Sequence, residues 1–299
     1  MVRISDNHRF TTTVGRMNQA RELFDNKHEI IMSGRKVRRL SDSPVSSLRL
    51  FRNRSKLSNI GQFKRSLDYV KGFMEKTEDA LRSINDSLIR VKELAIQQSN
   101  ATWDPLTRKT VAQEVLQIKD HITTLGNSTY ADRYVFGGFR NDSPPIAPNG
   151  RFLGDDGVMY IQLDEDSFRP INISGRPIFD RPPDLEKESL GVVEVVDKVY
   201  QSLMENDLDR LHSGMSQLDS ISERVVDSIA RIGARRMAVD DVEERIDSTE
   251  KRLYEDSNNL ESAEPMEAAL DFKRAETALQ QTLEASSRAM VPTLINFLK

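Results

Sequence analysis

Apolar positions recur every three and four residues from Ile60 onward: Ile60, Phe63, Leu67, Val70, Met74, Thr77, Leu81, Ile84, Leu88, Val91 and Ala95, with Thr77 alone polar. Such spacing keeps one helix face against a partner, so this heptad seam of about 35 residues predicts a coiled-coil or long-bundle helix. "ATWDPLTRKTVAQEV" breaks and restarts it. Asp104 can cap a new helix, and Pro105 suits the first helical position, where its missing N–H costs nothing. A second seam follows at Val111, Val115, Ile118, Ile122 and Leu125, until Gly126 and Asn127 weaken the helix. The two helices are expected to lie antiparallel, joined at Trp103.

The far end mirrors this. Leu218, Ile221, Val225, Ser228, Ile232, Arg235, Val239, Val242, Ile246, Thr249 and Leu253 keep one spacing despite polar interruptions. Pro265 breaks the run, and a thinner seam resumes at Phe272, Ala275, Leu279, Leu283, Ser286 and Met290. Residues 1–31 carry the same period at Phe10, Val14, Met17, Arg21, Phe24, His28 and Ile31. Both ends therefore read as amphipathic helices.

The middle is different. Seven of the 11 prolines lie between Pro144 and Pro183, and six of the 14 glycines between Gly137 and Gly175. "RFLGDDGVMYIQL" reads as two short strands around an Asp-Gly turn, and "FRPINISGRPIF" as more extended chain, together a β insert of roughly 45 residues. Tyr134, Val135, Phe136 and Phe139 are expected to seat this insert, with Gly137 and Gly138 making the bend. The fold class is thus mostly α: a long antiparallel coiled-coil or helical rod from the N- and C-terminal halves, with a small β-rich insert between them.

Composition narrows the function. Hydrophobic residues are 37% of the chain and charged residues 30%, which suits long helices with wide solvated faces. The net charge of -4, with both signs interspersed, argues against a nucleic-acid footprint. The basic run Arg35-Lys36-Val37-Arg38-Arg39 reads as a solvated loop. No cysteine is present, which excludes disulfides, thiolate metal sites and thiol catalysis. "MVRISDNHRF" lacks the apolar core of a signal peptide, and no apolar run has the length of a membrane span. Asp155-Asp156 and Asp164-Glu165-Asp166 fit no ligand loop and read as solvated turns. His8, His28, His121 and His212 stand singly, outside any metal spacing, and no phosphate loop or nucleophile elbow appears. Neither catalysis nor a cofactor nor a metal is expected.

Three stretches then carry a resemblance. "MSGRKVRRLSDSPVSS", Met32–Ser47, is similar to the Ser-Gly-Lys/Arg turn and Ser-Asp-x-Pro of the flagellin superfamily. "RYVFGGFRNDSPP" is similar to that family's aromatic-Gly exit into an outer domain. The ending from "RRMAVDDVEERID" to "AETALQQTL" resembles its C-terminal paired helix, break and last helix. Within the superfamily the chain looks most like the hook–filament junction family, hook-associated protein 3. Flagellin is the nearer alternative and an intracellular coiled-coil scaffold a more distant one. Pro44 in Ser41-Asp42-Ser43-Pro44 favours the junction family, while Ser43 stands where that family often has a second Asp.

The resemblance implies a structural protein of the extracellular bacterial flagellum, exported by the flagellar type III route without a cleaved signal peptide. Its partners would be copies of itself in a ring, the hook-side junction protein (hook-associated protein 1), flagellin, and an export chaperone on the C-terminal helix, with neither nucleic acid nor membrane insertion. Residues 1–44 with 262–299 would form the terminal assembly domain, 45–137 with 186–261 the helical rod, and 138–185 an outward-facing β domain. Phe10, Val14, Met17 and Phe24 are expected to meet Phe272, Leu279, Leu283 and Met290 in assembly. Gly34, Asp42 and Pro44 would fix the turn into the rod, and Tyr134, Phe136, Gly137 and Gly138 the junction with the insert. Residues 1 to about 40 and about 262 to 299 are expected to be disordered in the monomer, because their few apolar side chains cannot offset the cost of ordering the backbone.

Overall fold

The computed structural model describes residues 2–99, 105–164, 167–180 and 190–297, with side chains over 8–288 except Arg9. Helices α1 (Val2–Ser33), α2 (Pro44–Gln98) and α3 (Pro105–Gly126) come first. Among the described residues four short strands follow, β1 (Thr129–Tyr130), β2 (Arg133–Tyr134), β3 (Tyr160–Asp164) and β4 (Ser167–Pro170). The chain then returns to helix in α4 (Arg176–Phe179), α5 (Val192–Glu205), α6 (Leu208–Glu261) and α7 (Pro265–Phe297). Mostly helical structure with two small antiparallel sheets, β1-β2 and β3-β4, matches the class expected from the sequence. Trp103 and Asp104, expected at the α2–α3 joint, lie outside the described residues.

The chain divides into two compact units, residues 1–58 with 249–299 and residues 59–248. In the second, the α2 seam is buried as its spacing requires: Leu67, Val70, Met74, Thr77, Leu81, Ile84, Leu88, Val91 and Ala95 are all at most 2% exposed. Thr77 is tolerated there because its hydroxyl donates to the Phe73 carbonyl one turn back, at 2.7 Å. From α6, Leu218, Ile221, Val225, Ile232, Val239 and Val242 face the same core. Flanking ion pairs give the direction: Lys64 meets Asp247 at 2.8 Å, Lys71 meets Asp240 at 3.0 Å, and Lys92 meets Asp219 at 2.5 Å. One number rises as the other falls, so α2 and α6 are antiparallel. Glu243, and after it Asp240, hold the Lys71 ammonium above its ordinary pKa.

Helices α3 and α5 complete a four-helix bundle. Lys119 of α3 meets Asp197 of α5 at 2.8 Å, Arg90 of α2 meets Glu114 of α3 at 2.8 Å, and Lys198 of α5 donates to Ser213 of α6 at 2.8 Å. The α3 face is turned slightly from the expected seam. Ala112, Val115, Ile122 and Gly126 are buried, while Val111, Ile118 and Leu125 are half-buried. Small residues at 112 and 126 permit closer approach than a row of large ones. A Cβ on Gly126 would lie 2.8 Å from the Phe179 ring.

The valine run of α5 belongs by propensity to a strand. Val192, Val195, Val196 and Val199 are all fully buried, and each such burial contributes about 1.5–3 kcal/mol, which overrides that preference. Glu194 accepts from the Gly191 N–H at 3.3 Å at the start of α5, and Asn206, with φ 59°, ends it in the left-handed conformation.

The insert differs from the two strands read around Asp156-Gly157. Phe152 forms only a single antiparallel bridge to Ile146, and residues 153–159 belong to no strand. The hairpin is instead β3 with β4, pairing Tyr160 with Pro170 and Gln162 with Phe168. A carboxylate organises the loop that periodicity assigns to strand: Asp155 accepts from the N–H groups of Phe139 and Gly157, each at 2.8 Å.

Candidate assembly interface

At the chain's two ends, local chemistry builds a double crossing within one unit. Helix α1 stops at Gly34, which takes φ +65° with nothing within 4 Å of where a Cβ would stand, so conformation alone selects glycine there. Arg35 and Ser262 form an antiparallel bridge. On either side, the Lys36 N–H donates to the Glu261 carbonyl and the Ala263 N–H to the Gly34 carbonyl, both at 2.8 Å. Arg35 and Arg54 reach the Glu261 carboxylate at 3.0 and 3.2 Å. The α1–α2 and α6–α7 connections are thereby stitched to each other.

The basic run read as a solvated loop is therefore largely engaged. Lys36 donates to the Asn259 carbonyl at 2.9 Å, and Arg38 reaches both Glu29 and Asn26 of α1. Asp42 folds this segment. Its carboxylate accepts from the N–H groups of Arg39 at 2.8 Å and Arg38 at 3.0 Å, and these bonds lower its pKa below the ordinary value. Ser43 then caps α2, accepting from the Ser46 N–H at 3.4 Å, and Pro44 is the first helical residue. The Ser43 hydroxyl thus supplies the cap.

Beyond the crossing, α1 lies against α7. The Phe24 and Phe272 rings are 5.3 Å apart, with His28 5.8 Å from Phe272. Lys27 meets Asp271 at 2.6 Å and lowers the Asp271 pKa. The stripe facing α7 is rotated from the expected one: Ala20, Lys27 and Ile30 are half-buried, whereas Arg21, His28 and Ile31 are exposed. A pairing this thin leaves the stems of polar side chains enough room to replace apolar ones. Val14, Met17, Phe24, Phe272 and Leu279 are half-buried, while Phe10 is 56% and Leu283 47% exposed. The Met290 side chain lies outside the described residues. Of the expected pairs, Phe24 with Phe272 is brought into ring contact.

The seat of the insert is the second cluster. The Tyr134 N–H donates to the Asn141 carbonyl at 2.9 Å, turning the chain just before two fully buried residues, Val135 and Phe136. The Phe136 ring stands edge-on to Phe179 at 5.4 Å, and Phe152 stacks on Phe179 at 6.4 Å. Gly138 has φ +71° and packs against Asp155, while a Cβ on Gly137 would strike the Arg140 carbonyl. Phe139, expected in the seat, is 67% exposed: Asp155 binds its backbone and turns its ring outward. Burial raises the Asp155 pKa, but the N–H groups of Phe139, Gly157 and Arg140 together outweigh it and leave the carboxyl below its ordinary value.

Two arginines of α6 take part without any sequence signal. Arg224 donates to the Pro177 and Leu190 carbonyls at 2.9 and 2.6 Å, and Arg235 donates to the Asn172 carbonyl. Both guanidinium groups are partly buried, and this desolvation lowers their pKa. Carbonyl oxygens far away in sequence leave no local pattern by which these roles could be read.

Among the described residues no group of His, Cys, Asp or Glu could hold a metal ion, and no helix is long and apolar enough to cross a membrane. The site's chemistry is that of contact: exposed apolar side chains on paired helix ends.

Residues 4–140 match the bacterial flagellin N-terminal helical region. The chain is 21% identical over 154 residues to flagellar hook-associated protein 3 of Escherichia coli (strain K12), covering 51% of this chain and 49% of that protein. It is 26% identical over 99 residues to the flagellar filament 41 kDa core protein of Borreliella burgdorferi, covering 33% of this chain and 30% of that one. The chain thus spans half or less of the length of these relatives. Its fold is shared with flagellar hook-associated protein 3 of Legionella pneumophila, with a TM-score of 0.61 at 14% identity over 70% of this chain and 98% of that one. A candidate flagellar hook-associated protein of Vibrio parahaemolyticus superposes with a TM-score of 0.67 at 17% identity, over 74% of this chain and all of that one. The resemblance to flagellar proteins is borne out, and the turn motif and most of the exit motif lie within the matched residues 4–140.

Proposed function

We propose that this chain, whose residues 4–140 match the bacterial flagellin N-terminal helical region, is a structural protein of the bacterial flagellum that forms the junction ring between hook and filament. One observation carries the reading. The two chain ends pair through a thin seam, Phe24 on Phe272, which leaves Phe10, Leu23, Met266, Leu270 and Leu283 exposed. Apolar side chains standing in water along paired helices have a use when further helices cover them.

In this reading residues 1–44 with 262–299 are the assembly part, 45–137 with 186–261 the helical body, and 138–185 an outward-facing β part. Copies of the chain close a ring, with hook-associated protein 1 on the hook side and flagellin beyond. A cytoplasmic chaperone holds the last helix before type III export. The flagellin alternative predicts a different distribution along the flagellum. Immunogold labelling of intact flagella with antibody to the β part separates the two: one band at the hook–filament boundary supports the junction role, and label along the whole filament replaces it with flagellin.

A further inference from the structure

Helix α2 carries two unlike exposed surfaces, one in each unit. Near its start, Val45, Leu48 and Phe51 are 73%, 51% and 71% exposed, with Arg49, Arg52 and Lys56 exposed among them. None of these three cations has an ion pair among the described residues. The other side of the same turns is already used: Leu50 is buried, Asn53 donates to Asp256 at 2.7 Å, and Arg54 holds Glu261.

Over residues 68–96, within the second unit, the outward positions are Asp68, Glu75, Asp79, Asp86 and Glu93, joined by Ile89 at 47% and Ile96 at 49% exposure. Steps of three, four and seven put these residues on one helix face, opposite the buried seam. Arg82 and Arg90 share it, with Lys76 at its margin, but Arg82 is drawn to Glu78 at 2.6 Å and Arg90 to Glu114 at 2.8 Å. This face is acidic with two exposed isoleucines toward its C-terminal end, whereas the first is basic with exposed apolar side chains among its cations. Each would repel its own kind and suits the other.

We propose that the basic face around Phe51 docks on the acidic face around Ile89 of a second copy of this chain, head to tail. The inference rests on the self-assembly reading above and names the surfaces that carry it. Head to tail, the basic face of one copy meets the acidic face of the next, and a contact of that kind is heterologous. Such contacts close into a ring when the rotation per copy divides the circle.

Two triple variants test this, Arg49→Glu/Arg52→Glu/Lys56→Glu and Glu75→Lys/Asp79→Lys/Asp86→Lys. All six positions are exposed, and circular dichroism of each variant checks that helicity matches the parent. One variant has two acidic faces and the other two basic ones. Purified separately, each sediments as a monomer. Mixed at about 0.01–0.1 M salt, where exposed charges act over about 10–30 Å, they form a faster species that about 1 M salt dissolves. A mixture sedimenting as two monomers overturns the proposal, as does association of either variant alone.

In cells, each triple variant should enter flagella at least about tenfold less than the parent, and the chain carrying all six changes should recover. Equal entry of parent and triple variants overturns the proposed contact. Absence of the parent itself from flagella counts against the functional reading, while the mixing result stands independently.

Discussion

Phe24 of α1 and Phe272 of α7 hold their rings 5.3 Å apart, and Lys27 and Asp271, one turn along, close an ion pair at 2.6 Å. These two contacts draw the chain's opposite ends into one element. Yet among the described side chains α1 buries none, and α7 buries only Ala275 and Ser286. Pairing of this kind is readily opened. In dilute protein the amides of α1 and α7 should exchange far faster than those of α2 and α6 between residues 59 and 248. Phe272→Ala should speed both end helices together, because an aromatic pair contributes about 0.5–1.5 kcal/mol beyond its burial. Hydrogen exchange read by mass spectrometry checks this, and protection of α1 equal to that of the α2 seam would refute it.

Leu279 is half-buried on α7 in the isolated chain. Leu279→Asp should abolish incorporation into flagella, while the unfolding transition of the 59–248 unit stays where it was. Flagella carrying the variant at parental levels would remove the terminal helices from the assembly account.

Phe136 is fully buried against Phe179 at the seat of the insert. Phe136→Ala should destabilise the unit by about 3–5 kcal/mol, the usual cost of an aromatic-sized cavity. Gly138→Ala should also destabilise it, since the new methyl group meets Asp155 and the backbone holds φ +71°. Denaturant melts of both variants give the answer, and Phe139→Ala, at an exposed position, is the near-neutral control.

Asp155 gives a pH signature. Its folded pKa is depressed by backbone N–H donors, so its stabilising contribution is complete above about pH 4, the unfolded carboxylate value. It is lost as pH falls through the lower folded value. Asp155→Asn should be less stable than the parent near neutrality and converge on it in acid. A constant gap between the two curves down to about pH 2 would show that the carboxylate's charge plays no part in the loop.

The long seams of α2 and α6 were legible because burial there is dense and periodic: a helix with one face at most 2% exposed leaves little freedom in which residue types occupy that face. The turn was legible as well, since Gly34 needs a positive φ and Pro44 a helix start. The α1 stripe was misread because its face is shared by Lys27 and Ala20, so apolar spacing underdetermines it. Helix α5 speaks the language of strands until four valines find a core. The hairpin near Asp156-Gly157 failed because Asp155 binds the backbone that a strand ladder would have used. Arg224 and Arg235 act through carbonyls at Pro177, Leu190 and Asn172, contacts that exist only once the chain has folded.

The central claim is a single junction layer, and growth on isolated hooks tests it most directly. Purified chain is added to hooks already carrying hook-associated protein 1, and the tips are imaged by electron microscopy. Growth that stops after one thin added layer is the predicted result. Continued elongation into long tubes, or bare tips despite intact folded protein, would contradict it.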